Sequence, residues 1–336
     1  MTYYCRGQLR ILGSMKRAFI FPLPRMCNLN LKEIWLLAVK SASLAFFLMY
    51  HLANATDMDP RSYSNIPVGL NFLITGYGYT KGNVAFTPSV PIKNGKIEIH
   101  TAVLAYARSL DVFGKSGKVD FILPGASLSG TAQVLGEPAS RNIDGLADPI
   151  VRFYVNLYGA PALTLKDFPA YKQNIIIGAS LAVSAPVGQY NHNRLVNLGN
   201  NRWSFKPEIG ISKAWGPAVA EFAAGAYFYT DNNQPFLGNN LQQDPLYNLQ
   251  GHLIYNFRPG TWLAFNANYY TGGGTTKDGK LSNESQTNAR VGATLAFAVH
   301  RHHSLKLYGS TDVYSRTGTS FDIVGIAWQY RWGKGL

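Results

Sequence analysis

Cysteine is almost missing from this 336-residue chain: Cys5 and Cys27 are the two it has, both near its start. A disulfide framework and a thiolate metal site are therefore excluded for everything downstream. Charge is scarce as well. Asp, Glu, Lys and Arg make up 15% of the residues, against about 25% in ordinary soluble domains. After residue 55 no apolar run approaches the roughly 20 residues of a helical membrane span. No basic stripe gathers the positive charge, so nucleic acid is not an expected partner. What the chain has in quantity is glycine, 33 residues, and aromatics, 13%.

What it also has is a rhythm. Along Tyr247 to Arg258, Tyr247, Leu249, Leu253, Tyr255 and Phe257 fall on one face, while Asn248, Gln250, His252, Asn256 and Arg258 fall on the other. Successive strand side chains point to opposite sides, so such a segment separates an apolar medium from a wet one. A Pro259-Gly260 turn follows, then a second strand with Leu263, Phe265, Ala267 and Tyr269 on its apolar face, then a long polar loop through Gly272, Gly273 and Gly274. Tight turns alternating with long polar loops are the pattern of a closed barrel in an outer membrane.

The first 55 residues read as a secretory leader. Lys32 and Lys40 accompany the apolar stretches 34–39 and 42–50, and Ala53-Asn-Ala55 supplies a cleavage site before Thr56. Residues 1 to about 25 are long and basic for a leader, so Met15 or Met26 are alternative starts, and an N-terminal anchor is the competing reading. Cleavage after Ala55 would remove both cysteines. The 31 bases would fall by seven to 24 and the 18 acids by one to 17, a net +7 in place of +13. Residues 56–336 would be the barrel.

The strand pattern yields twelve segments, beginning near residues 68, 96, 118, 149, 174, 203, 218, 247, 261, 286, 304 and 321. The predicted fold is all-β: a transmembrane antiparallel up-and-down β-barrel. An even count puts both termini on the periplasmic side. Connections 80–95, 125–146, 188–202, 231–246, 271–285 and 317–320 are then external, and 111–117, 159–173, 215–217, 259–260 and 300–303 periplasmic. Two break the short-long rule, 159–173 and 317–320, and mark where the count is most exposed to error. In the first strand Val68, Leu70, Phe72 and Ile74 are expected on the apolar face, and 114–117 as the turn between strands two and three. Aromatics near strand ends (Tyr77, Tyr79, Tyr227, Phe228, Tyr229, Tyr269, Tyr270, Trp328, Tyr330, Trp332) are expected to form interfacial girdles.

The polar faces nominate Arg152, Lys206, Glu208, Glu221, His252, Arg258, Arg290, Lys306 and Asp312 as lumen-lining. They can act as a selectivity lining that sorts solutes. They can equally be a salt-bridged plug, because interior charges need partners where water is scarce. No catalytic, cofactor or metal site emerges. Asp144 and Asp148 read as turn formers, and His300, His302 and His303 as a solvated turn. His302 and Ser304 have the H-x-S spacing of an outer-membrane lipid hydrolase, but a nucleophilic serine needs a base and an orienting group in contact.

Four motifs carry a resemblance: Gly145-Leu-Ala-Asp148-Pro149, Pro186-Val-Gly188-Gln-Tyr190, Asn197-Leu-Gly-Asn-Asn-Arg-Trp203 and Tyr330-Arg-Trp332. Over roughly residues 68–332 the chain resembles the outer-membrane family labelled "putative MetA-pathway of phenol degradation". The resemblance implies a transport-type barrel in the bacterial outer membrane, associated with aromatic catabolism and without catalytic residues. Gly333-Lys-Gly-Leu336 extends past the aromatic that usually serves as the assembly signal. The resulting expectation is a passive channel for small, hydrophobic or aromatic, solutes. Its partners would be outer-membrane lipid, lipopolysaccharide and, through Tyr330 and Trp332, the barrel assembly machinery. The alternatives are a non-conducting structural or surface-interaction barrel and an outer-membrane lipid hydrolase.

Overall fold

The computed structural model describes residues 58–336 except 85–91, 135–136, 195, 237, 283–284, 317–319 and 334. The expected leader and its Ala55–Thr56 junction lie outside the described residues. Twelve strands form the barrel: β1 (Leu70–Val84), β2 (Ile92–Val112), β3 (Lys115–Val134), β5 (Ile150–Tyr158), β6 (Ile175–Ser184), β7 (Ser204–Trp215), β8 (Ala218–Tyr229), β10 (Leu246–Arg258), β11 (Thr261–Gly272), β14 (Gln286–Ala298), β15 (His303–Ser315) and β16 (Ser320–Gly333). Each pairs antiparallel with its neighbours. β1 closes the ring on β16, from Leu70 opposite Gly333 to Asn83 opposite Ser320. Closure is what lipid demands, since an open edge would leave N–H and C=O groups without partners.

The wall is two-faced as the alternation requires. Ile209, Leu253, Phe265 and Val324 are exposed on the outside, while Asn248, Gln250, His252, Asn266 and Thr294 are buried on the inside. The two connections that break the rule do not disturb the count of twelve. Between β5 and β6 the long periplasmic stretch holds a short 3-10 turn (Phe168–Ala170) and bridges Pro161 to Lys115. β15 and β16 are separated by four residues at the external end.

Four expectations need correction. The Pro- and Gly-containing segment 125–146 is a hairpin rather than a loop: β3 runs on to Val134 and returns as β4 (Glu137–Leu146). Pro138 is tolerated there because β4 is an edge strand, bonded to β3 alone. The turn between β2 and β3 sits at Phe113–Gly114, both with positive φ (52° and 78°), the geometry that joins antiparallel strands in two residues. The polar loops 231–246 and 271–285 contain strands, β9 (Leu241–Gln243), β12 (Thr275–Lys277) and β13 (Lys280–Ser282), paired as a small separate sheet.

The first strand is turned over. Leu70, Phe72 and Ile74 face inward and pack with Ile66, Ala107 and Leu336, while Tyr77 faces out. The inner wall is locally apolar because another part of the chain covers it. β2 and β3, at 21 and 20 residues, also exceed the roughly 9–11 residues that cross a bilayer. Their outer ends, with β4 and the 186–203 loop, enclose an apolar core of Ile97, Ile99, Leu128, Ile143, Leu198 and Phe321.

Candidate functional site

Inside the barrel lies the segment Met58–Gly69, which precedes β1. The Asp59 carboxylate sits 3.3 Å from Lys306 Nζ and 3.9 Å from Arg152 Nη2. The Arg61 backbone N–H donates to Glu221 Oε2 at 2.7 Å, and its guanidinium donates to Asn256 Oδ1 at 2.8 Å. Tyr63 donates its hydroxyl to Glu208 Oε1 at 2.9 Å, and its ring packs at 6.1 Å edge-on to Tyr154. The segment then leaves past the periplasmic connection, where Asn65 donates to the Pro161 carbonyl and Val68 N–H to that of Leu163. The long 159–174 connection thus has a use: it supplies the carbonyls that hold this segment.

Eight of the nine lumen candidates lie in this interior and each is engaged. Arg152 pairs with Asp120 at 3.3 Å, and Asp120 with Lys118 at 3.4 Å. Lys206 pairs with Glu208 at 3.0 Å. Glu221 accepts from Ser212 Oγ at 3.1 Å and lies directly across from His252 on the neighbouring strand. His252 Nδ1 meets Asn266 Oδ1 at 2.8 Å, and Asn266 donates to Thr294 at 3.0 Å. Arg290 and Asp312 form a bidentate pair at 2.7 and 3.1 Å. Lys306 completes the set through Asp59. Arg258 is the exception: a bulge at the end of β10 leaves it exposed at the periplasmic mouth, donating to Thr261 at 3.3 Å.

The segment divides the interior. On its extracellular side a cavity of about 920 Å³, its open mouth included, is bordered by Asp59 and Ser62. On its periplasmic side a second, of about 1190 Å³ on the same measure, is bordered by Arg61 and Ser64 and reaches Arg258 and Lys172. Sequence reasoning missed the septum itself. Asp59, Arg61 and Tyr63 sit in a polar stretch without alternation, and no local pattern says that such a stretch folds inward. Tyr227 and Tyr229, which alternation puts on the polar side of their strand and which were also expected in the aromatic girdle, both line the first cavity, and the residue between them, Phe228, faces out.

Above the cavity the 186–203 loop is tied down by Asp148. Its carboxylate accepts the backbone N–H groups of Gly188 (2.9 Å) and Asn200 (2.7 Å) and the Asn200 side chain (3.0 Å). Burial raises the Asp148 pKa, against the pull of these bonds. The loop also meets 231–246 through Asn232, which accepts from Asn201 and donates to Tyr190. Among the described residues no group of three His, Cys, Asp or Glu side chains could hold a metal ion. His302, of the H-x-S spacing, directs Nδ1 to the Arg331 carbonyl oxygen at 3.0 Å.

A closed antiparallel ring with an apolar outer wall and a charged, hydrogen-bonded lumen is an outer-membrane β-barrel. The chain belongs to the family described as "Putative MetA-pathway of phenol degradation", whose model matches residues 80–324. Family and fold place it in the bacterial outer membrane. Among solved structures it is similar in fold to the COG4313 outer membrane channel from Pseudomonas putida F1, with TM-score 0.70 and 20% identity over 82% of this chain and 99% of that one. The translocator domain of the autotransporter NalP from Neisseria meningitidis matches at TM-score 0.47 and 9% identity, over 88% and 98% of the two chains. The CymD monoaromatic hydrocarbon channel matches at 0.36 and 7%, over 88% and 92%. No curated protein sequence matches the chain.

Proposed function

We propose that the protein is a passive channel for small solutes, aromatic ones among them, and that residues 58–69 set its constriction. The observation that carries this is the division of the interior. Two cavities, one toward each face, are separated by a segment held by ion pairs and hydrogen bonds rather than by an apolar core. A barrel filled for stability alone has no need of open space on both sides of its filling. The family's association with phenol degradation supports aromatic solutes. The lumen candidates, with Arg258 at the mouth, then act as the lining that sorts solutes. Liposome swelling and planar-bilayer conductance of the purified barrel test the reading. A barrel that stays sealed to ions and small solutes, also after Tyr63→Ala, would sink it.

A second reading, a surface-interaction barrel, has one observation in its favour: the β3–β4 hairpin and the β9, β12, β13 sheet stand beyond the membrane wall. Removing β12 and β13 would abolish partner binding and leave conductance unchanged. For assembly, the stacked Tyr330 and Trp332, 5.5 Å apart, are our proposed contact with the insertion machinery. Outer-membrane lipid and lipopolysaccharide are the proposed neighbours of the wall.

A further inference from the structure

The rim of short turns, the periplasmic one in this topology, holds two arginines together with no acid between them. Arg331, near the end of β16, is locked to the 300–303 turn by three hydrogen bonds. Its backbone N–H donates to the His302 carbonyl at 2.9 Å, its carbonyl meets His302 Nδ1 at 3.0 Å, and its Nε donates to the Arg301 carbonyl at 2.8 Å. That last bond brings the guanidinium to the tip of the turn, where Arg301 is exposed. The charged group that bears on Arg331 is Arg301, alike in sign. Among the described residues neither forms an ion pair, and the terminal nitrogens of both guanidiniums have no protein acceptor. Two like charges repel, so a fold that holds them together is more stable with an anion between them. With Nε engaged, Arg331 offers Nη1 and Nη2, an edge that matches two oxygens of one phosphate.

The wall beside these arginines faces lipid. Along the outer face of β16, Val324 and Ile326 are followed by Trp328, Tyr330 and Trp332, whose rings stack at 6.3 and 5.5 Å. His303 of β15 lies against Trp328 and Tyr330 at 5.5 and 5.1 Å, and Tyr106 of β2 meets Trp332 at 6.2 Å. The lane runs from the apolar middle of the wall to the rim and ends in aromatics. Such a belt marks the depth of the headgroups. Arg331 stands between Tyr330 and Trp332 in its strand, so the two guanidiniums lie at the level of the phosphates of the nearer leaflet.

We propose that Arg301 and Arg331 form a binding site for the headgroup of an anionic phospholipid, whose acyl chains lie along the lane that ends at Trp332. A phosphatidylcholine headgroup brings its own ammonium to a rim that already carries two positive charges. A phosphatidylglycerol headgroup brings the phosphate alone. The site therefore selects net negative charge. The proposal does not depend on whether the lumen conducts, since none of these residues borders either cavity.

The test is native mass spectrometry of the full, folded barrel released from mixed micelles with equal amounts of phosphatidylglycerol and phosphatidylcholine. Phosphatidylglycerol should be retained about tenfold over phosphatidylcholine, a preference of roughly 1.4 kcal/mol. Arg301→Gln should cut that preference about threefold, and Arg301→Gln with Arg331→Gln should remove it. Heat-modifiable gel mobility confirms that the variants fold. Should the double variant not fold, Arg301→Gln, in an exposed turn, decides alone. Equal retention of the two lipids by the unaltered protein overturns the proposal, and so does a preference that survives undiminished in the folded variants. Isothermal titration with inorganic phosphate and with a short-chain phosphatidylglycerol is the second arm. Phosphate should bind about tenfold more weakly or not at all; equal binding would make this a site for a free anion and sink the lipid.

Discussion

The ring of Tyr63 occupies the space that a side chain at Gly210 would need. A Cβ built on Gly210 falls 2.2 Å from Tyr63 Cε2, and one on its cross-strand partner Gly178 falls 2.4 Å from Cδ1. Two paired glycines in strand interiors are a seat for an approaching group. Gly210→Val should therefore unseat the septum, overpacking it by roughly 1–3 kcal/mol. The expected readout is a severalfold rise in single-channel conductance with a normally folded barrel. Unchanged conductance would mean that the segment does not limit the pore.

Asp59 stands between Lys306 and Arg152. Asp59→Asn deletes the negative member of this triplet and leaves two cations facing the lumen. Reversal potentials in a salt gradient should move toward anion selectivity, most visibly at low ionic strength, where the field reaches furthest. A shift toward cations would contradict the assignment.

Arg290 and Asp312 form a closed pair on the inner wall, and Asp312 Oδ2 also accepts the Phe321 N–H at 2.9 Å. Removing one partner leaves a buried charge alone, at a cost of about 3–5 kcal/mol. Arg290→Met should lower the urea midpoint of unfolding markedly, and adding Asp312→Asn should restore part of it. Additive losses in the double variant would show that the two groups are not coupled.

Asp148 holds the 186–203 loop by three hydrogen bonds. Asp148→Ala leaves buried donors unsatisfied, at roughly 1–3 kcal/mol each. Limited trypsinolysis should then cut at Arg194, inside the loop, while the barrel strands stay intact. Equal resistance in both proteins would place the loop's anchor elsewhere.

Lys277 belongs to the small extracellular sheet, outside the spanning strands, and burial lowers its pKa from 10.5 to about 8, partly opposed by Asp278. Below pH 8 the amine is charged whether the sheet is folded or open, so the full burial cost is present. Between about 8 and 10.5 the opened form binds more protons, and the sheet gains stability as pH rises. In 13Cε-lysine NMR one resonance should titrate near 8 and disappear in Lys277→Met. A lowest midpoint near 10.5 would refute the burial.

Much of this fold is legible in the chain because a membrane barrel repeats one constraint at every strand. From Tyr247 to Phe257 the period-two pattern separates lipid from lumen without ambiguity, and the structure follows it residue by residue. The pattern misleads where something other than lipid covers an apolar face. Leu70 and Phe72 look lipid-facing and are not, because Ile66 of the incoming segment packs against them inside. The same holds for 125–146, whose prolines and glycines suit a loop and equally suit an edge hairpin.

Sequence alone determined that the chain closes a twelve-stranded wall and that, as from Tyr247 to Phe257, its apolar side chains turn outward and its polar ones inward. Each of these follows from local alternation and from the requirement that every backbone group in lipid be paired. Tertiary structure alone decided what occupies the lumen. Asp59, Arg61 and Tyr63 meet partners from about 90 to almost 250 positions away. No local period encodes such contacts, because they depend on the barrel that must first close around them.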